Sequence, residues 1–118
     1  MKIKLLVVDD SAFMRKIIQD VLEDIKEIEV VGIARNGLEA LEKIKKLNPD
    51  IVTLDIEMPK LNGIDTLKII KSDYNIPVIM LSSQSGIDNT ILALELGAED
   101  FIEKPKNLNE NLDLFTNE

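Results

Sequence analysis

Five short apolar runs, separated by stretches of helical period, constrain this chain more than any other feature. They are Ile3-Lys4-Leu5-Leu6-Val7-Val8, Ile28–Ala34, Ile51-Val52-Thr53-Leu54, Pro77-Val78-Ile79-Met80-Leu81 and Phe101-Ile102. Continuous β-branched runs of this kind suit strands buried on both faces rather than strands with one wet face. Strand and helix alternate five times with short connections, and no internal repeat or linker interrupts them. The arrangement that satisfies all five runs is one parallel sheet with helices on both faces. Right-handed crossovers then gather the loops, and any ligand, at the carboxyl ends of the strands.

The intervening stretches carry their own start and stop signals. Ser11 is placed to cap a first helix, whose inner face is expected to be Phe13, Ile17, Val21 and Ile25. Asn36 with Glu39 forms a capping-box pattern before Ala40, Leu41, Ile44 and Leu47, and Asn48-Pro49-Asp50 ends that helix. Ile64, Leu67 and Ile70 mark a third helix after the Asn62-Gly63 turn. Ile87, Ile91 and Leu94 mark a fourth, which Gly97 is suited to terminate. Leu108, Leu112 and Phe115 make a weak last stripe, diluted by Asn107, Asn109, Asn111 and Asn117. The expected organisation is one domain over residues 1–105, with 106–118 as a short tail holding an incomplete fifth helix.

Composition narrows the chemistry. The chain has 118 residues, enough for a single core, with neither cysteine nor histidine. Disulfides, thiolate or imidazole zinc sites and a Ser-His-Asp triad are therefore excluded within these residues. The early apolar run at 5–8 is far too short to span a membrane, so a cytoplasmic location with no membrane partner is the expectation. A formal charge of −8, with no basic patch, argues against direct nucleic-acid binding.

Asp9, Asp10 and Asp55 follow or end two of the strands, so this architecture can bring them to one edge of the sheet. Two ionised carboxylates about 4 Å apart repel by about 4 kcal/mol at an effective dielectric near 20. A divalent cation relieves that conflict, and magnesium suits it best, with manganese as its substitute: hard oxygen ligands, retained waters, a phosphate oxygen to complete the shell. Asp55 is then a candidate nucleophile for an acyl phosphate. Ser82, at the end of the fourth run, can donate to a phosphoryl oxygen, and Lys104, past the fifth, can add a compact positive charge. Lys104-Pro105 is a candidate cis peptide that would aim the lysine back. Each residue alone has a plainer explanation. Asp-Asp-Ser caps helices, a lysine before proline is usually on the surface, a strand-end serine bonds local backbone, and Phe101 would fill a core. The specificity lies in the conjunction.

These motifs resemble the receiver domains of two-component response regulators: Val7-Val8-Asp9-Asp10-Ser11, Leu54-Asp55-Ile56-Glu57-Met58-Pro59, Asn62-Gly63, Val78-Ile79-Met80-Leu81-Ser82 and Gly97-Ala98…Lys104-Pro105. The likeness runs over residues 2–105. It implies a flavodoxin-like (CheY-like) three-layer α/β sandwich with a five-stranded parallel sheet in the order 2-1-3-4-5. It also implies that Asp55 accepts phosphate from a sensor histidine kinase. Asp9, Asp10 and Asp55 would hold the metal with the Glu57 backbone carbonyl, Ser82 and Lys104 would bind the phosphoryl oxygens, and Phe101 would be the switch residue. Glu57 and Gln84 stand two places beyond Asp55 and Ser82, where side chains tune phosphoryl lifetime in the family.

A finer similarity is carried by Asp9-Asp10-Ser11-Ala12-Phe13-Met14-Arg15, Ala34-Arg35-Asn36-Gly37, Asp55-Ile56-Glu57-Met58-Pro59 and Ser82-Ser83-Gln84. Together they look like the regulatory domain of the chemotaxis protein-glutamate methylesterase. The implied parent carries a C-terminal effector domain with its own hydrolase chemistry, so this chain is expected to be an excised regulatory domain or a stand-alone relative. It would itself only gain and lose a phosphoryl group.

Four other readings fit parts of the pattern. A receiver of a sporulation or chemotaxis regulator without an esterase domain shares many of these residues. A haloacid-dehalogenase-like phosphohydrolase also uses an aspartate after a strand with a second acid two residues on, as in Asp55-Ile56-Glu57, but expects a threonine where Pro59 stands. A flavodoxin-like FMN carrier would have little to stack on, with 3% aromatic residues and no tryptophan. A degenerate receiver acting only as a binding module would not need all five site residues.

Overall fold

The computed structural model describes residues 2–58, 60–82 and 87–103; at Ser82, residues 87–89 and Glu103 it describes the backbone alone. Its elements run β1 (Ile3–Val8), α1 (Ala12–Leu22), β2 (Ile28–Ala34), α2 (Gly37–Leu47), β3 (Ile51–Asp55), α3 (Gly63–Asp73), β4 (Val78–Ser82), α4 (Ile87–Glu95) and β5 (Asp100–Glu103). All strand pairs are parallel, in the order β2-β1-β3-β4-β5. The expected division at residue 105 and the tail stripe of Leu108, Leu112 and Phe115 lie outside the described residues. Among the described residues no helix is long and apolar enough to cross a membrane.

Strand alternation divides the core in two. Leu6 and Val8 of β1 join Val52, Leu54, Val78 and Met80 on one face, where α2 supplies Ala40 and Ile44, α3 supplies Leu67 and Ile70, and α4 supplies Ala93. Leu5 and Val7 point the other way, to Met14, Ile17 and Ile18 of α1 and to Leu81. Beyond α1 on that second face, Thr53, Ile79, Leu81, Phe101 and Ile102 line a groove of about 590 Å³.

The capping signals are realised. Ser11, Asn36 and Asn62 each accept a hydrogen bond from the backbone N–H three residues on, at Met14, Glu39 and Asp65. The Glu39 carboxylate returns to the Arg35 N–H and pairs with the Arg35 guanidinium, an extended form of the box. These bonds to Arg35, acting against partial desolvation, hold the Glu39 carboxyl below its usual value. Asn48 closes α2 in the left-handed region at φ 47°, and Gly97 follows α4 at φ 112°.

Two helix faces differ from those expected. In α1 the buried residues are Met14, Ile17 and Ile18, while Phe13 is 58% exposed and Ile25 lies past the helix end. In α4 the small residues Thr90 and Ala93 face inward, whereas Ile91 and Leu94 are exposed.

Candidate functional site

The register of β1 on β3 sets the site. Val8 pairs with Leu54, so the next residues, Asp9 and Asp55, come side by side where the two strands end. Carboxylate oxygens of Asp9, Asp10 and Asp55 lie within 4.8 Å of one another. Asp9 is fully buried and Asp55 only 2% exposed, while Asp10 is exposed, which gives the cluster a route from solvent.

Both buried acids are fixed by the turn that follows them. Asp9 Oδ1 accepts the Ser11 N–H at 2.9 Å, and Asp55 Oδ1 accepts the Glu57 N–H at 3.2 Å. Each aspartate thus folds its own chain back two residues later, in the manner of an Asx turn. The Asp9 N–H donates to the Ala34 carbonyl at 3.0 Å, tying the site to the end of β2. Behind Asp55, the Ile56 N–H donates to the Leu81 carbonyl at 3.2 Å, and the Gly63 N–H donates to the Ile56 carbonyl at 2.8 Å. A Cβ on Gly63 would lie 2.6 Å from Ile56 Cα and collide with the Asp55 carbonyl, so only glycine lets α3 start this close to the end of β3.

The other expected residues divide between those the structure places and those it does not describe. Glu57 is exposed at the rim, on the turn after Asp55. Ser82 ends β4 one position beyond Leu81, the partner of Asp55, and therefore at the same sheet edge; its side chain is outside the described set. Glu103, paired with Ser82, is the last described residue, so Lys104 and the cis bond expected before Pro105 lie outside the described residues, as does Gln84 between β4 and α4. Phe101 pairs with Met80 in β5 and is 43% exposed, which overturns the core-filling explanation for it.

Arg15 is a contributor that sequence reasoning left as one letter of a motif. Its Nη1 donates to the Asp9 carbonyl at 2.7 Å. The available signal was its place in the first turn of a helix capped by Ser11. Helical side chains lean toward the N-terminus, which here is the acid loop.

The donor set, three carboxylates and no nitrogen or sulfur ligand, is the chemistry of a hard cation such as magnesium. Sequence comparison decides the family: residues 5–115 match the response regulator receiver domain. The chain belongs to that family. Receiver domains of known structure share its fold, as in the response regulator domain of Thermotoga maritima CheB. That structure has a TM-score of 0.89 at 47% identity, over 97% of this chain and 89% of that one. The receiver is also 59% identical over 115 residues to a Bacillus subtilis protein-glutamate methylesterase/protein-glutamine glutaminase, covering 96% of this chain and 32% of that protein. A Pyrococcus horikoshii protein of the same name is 58% identical over 106 residues, with 88% and 29% coverage. The receiver thus spans about a third of the length of these relatives and is homologous to their regulatory portion. The match supports a receiver and gives nothing to the phosphohydrolase alternative.

Proposed function

We propose that Asp55 is the phosphoacceptor of this receiver and that a sensor histidine kinase is the donor. In the transfer, an Asp55 carboxylate oxygen attacks the phosphorus of a phosphohistidine. The new P–O bond forms as the P–N bond breaks, and the departing imidazole takes up a proton. Asp9, Asp10, Asp55 and the Glu57 backbone carbonyl would hold Mg2+, or Mn2+ in its place. The cation supplies charge neutralisation, without which a dianionic phosphoryl group would meet three carboxylates. Ser82 and Lys104 complete the cradle for the phosphoryl oxygens, and Phe101 changes rotamer as the hydroxyl shifts toward them. Phosphorylation then moves a pre-existing equilibrium between two conformations.

The observation that carries this reading is the convergence of the Asp9, Asp10 and Asp55 carboxylates within 4.8 Å, two of them buried. In a longer parent, the proposed output is control of a C-terminal methylesterase domain in a cytoplasmic chemotaxis pathway; the support for the esterase is that relatives are named protein-glutamate methylesterase/protein-glutamine glutaminase. Incubation with Mg2+ and acetyl phosphate should add one phosphoryl group by intact mass, and Asp55→Asn should abolish it. Equal labelling of that variant would overturn the assignment. Continuous turnover of a simple phosphoester would move the reading toward a hydrolase.

A further inference from the structure

Among the described residues, three hydrogen bonds hold Asp9, and one of these comes from a side chain of another element. Its N–H is bonded to Ala34 of β2, its Oδ1 accepts from Ser11, and its carbonyl oxygen accepts from the Arg15 guanidinium at 2.7 Å. The Asp9 carbonyl and the Asp10 N–H belong to one peptide plane. Fixing that carbonyl therefore fixes the direction in which Asp10 leaves β1, and Asp10 is the exposed member of the acid cluster. Arg15 is itself anchored, since its N–H closes the first turn of α1 on the Ser11 carbonyl at 3.0 Å.

We infer that Arg15 is a positioning residue: it orients the Asp9–Asp10 peptide so that the two acids present their carboxylates to a cation together with Asp55. The inference rests on the metal-site reading given under Proposed function. It makes a prediction opposite in sign to the obvious electrostatic one. A guanidinium next to an acid cluster repels an incoming cation, so by charge alone its removal strengthens metal binding. If Arg15 works by orientation, its removal weakens binding, because groups that hold a ligand in place commonly matter about tenfold or more in affinity.

The test is calorimetric titration of Mg2+ into metal-free wild type and Arg15→Met, with 15N–1H spectra of both before metal is added. Roughly tenfold weaker binding is expected in the variant. A changed Asp10 amide nitrogen shift should accompany it in the absence of metal, since that nitrogen shares the peptide whose carbonyl lost its donor. Arg15→Lys, which keeps a donor and the charge, should recover part of the affinity. Binding by Arg15→Met that equals or exceeds wild type overturns the inference, and Arg15→Leu, which likewise removes donor and charge, gives the same reading should the methionine variant fail to fold. Wild type that takes up no Mg2+ overturns the metal-site reading and the inference with it. Wild type that binds, beside variants that bind equally well, overturns the inference alone.

Discussion

Two glycines show how differently the same substitution acts on this molecule. At Gly32, an added methyl group would meet Leu47 Cδ1 at 2.7 Å, the far end of a flexible side chain. At Gly63 it would meet backbone: Ile56 Cα at 2.6 Å and the carbonyl of Asp55. A leucine methyl moves by a rotamer change, whereas a strand end bonded to its neighbours does not. Gly63→Ala should therefore cost about 1–3 kcal/mol by chemical denaturation, the usual range for overpacking. Gly32→Ala should cost less. Because the displaced atoms belong to Asp55 itself, Gly63→Ala should also slow phosphorylation by acetyl phosphate in conditions where the variant is fully folded. Equal stability losses at the two sites would show that α3 can shift without disturbing the strand. The Asn62-Gly63 pair was visible in the sequence as a turn, but not its contact with the backbone of Asp55. That contact depends on how α3 crosses the sheet, a tertiary property that no local pattern encodes.

Helix faces were less legible than helix positions, for a geometric reason. Phe13, Ile17, Val21 and Ile25 are spaced by four, and each step of four advances about 40° around a helix with 3.6 residues per turn. Over three steps the ends of the series drift about 120° apart, too far for one stripe to bury both. The structure keeps Met14, Ile17 and Ile18 inside and leaves Phe13 out. In α4 the expectation that bulk turns inward failed because Thr90 and Ala93 face the sheet. Strand positions, by contrast, followed the expected pattern, because an uninterrupted apolar run has no wet face to misassign, while the strand order is the one that the family resemblance implied. The connection between α4 and β5 holds a second feature that sequence did not reveal. Glu99 Oε1 accepts the Val78 N–H at 2.7 Å, and Glu99 Oε2 meets Lys71 Nζ at 2.9 Å, joining α3 to the starts of β4 and β5. Burial pushes the Glu99 carboxyl up, but the Val78 N–H and Lys71 together outweigh it and hold the carboxyl below its ordinary value. A carboxyl depressed by folding lends stability that is present above its unfolded pKa and is lost as pH falls through the folded one. Wild type should therefore exceed Glu99→Gln in stability at pH 6, and the gap should close as pH falls below the ordinary carboxylate range in denaturant titrations. A gap that stays constant to pH 3 would show that Glu99 acts by packing alone.

The site is placed where it weakens the protein that carries it. The molecule already bears a net charge of −8, and it concentrates three carboxylates at the end of a sheet, two of them out of contact with water. Like charges in so small a volume oppose folding, and a bound cation would relieve that repulsion. The same repulsion fixes the sign of two measurements that would otherwise look unrelated. Asp10→Asn removes one charge from the cluster without changing its shape, so the metal-free variant should melt a few degrees above metal-free wild type. The difference should shrink in high salt, because Asp10 is exposed and screened. Mg2+ at about a hundredfold excess over its Kd should stabilise wild type by about 2.7 kcal/mol through its preference for the folded state. The variant, short of a ligand, should gain much less. The order of melting temperatures should therefore reverse between chelator and saturating Mg2+, with the variant ahead in one and wild type in the other. An order that stays the same in both conditions would mean either that the carboxylates do not strain the fold or that they do not share a cation.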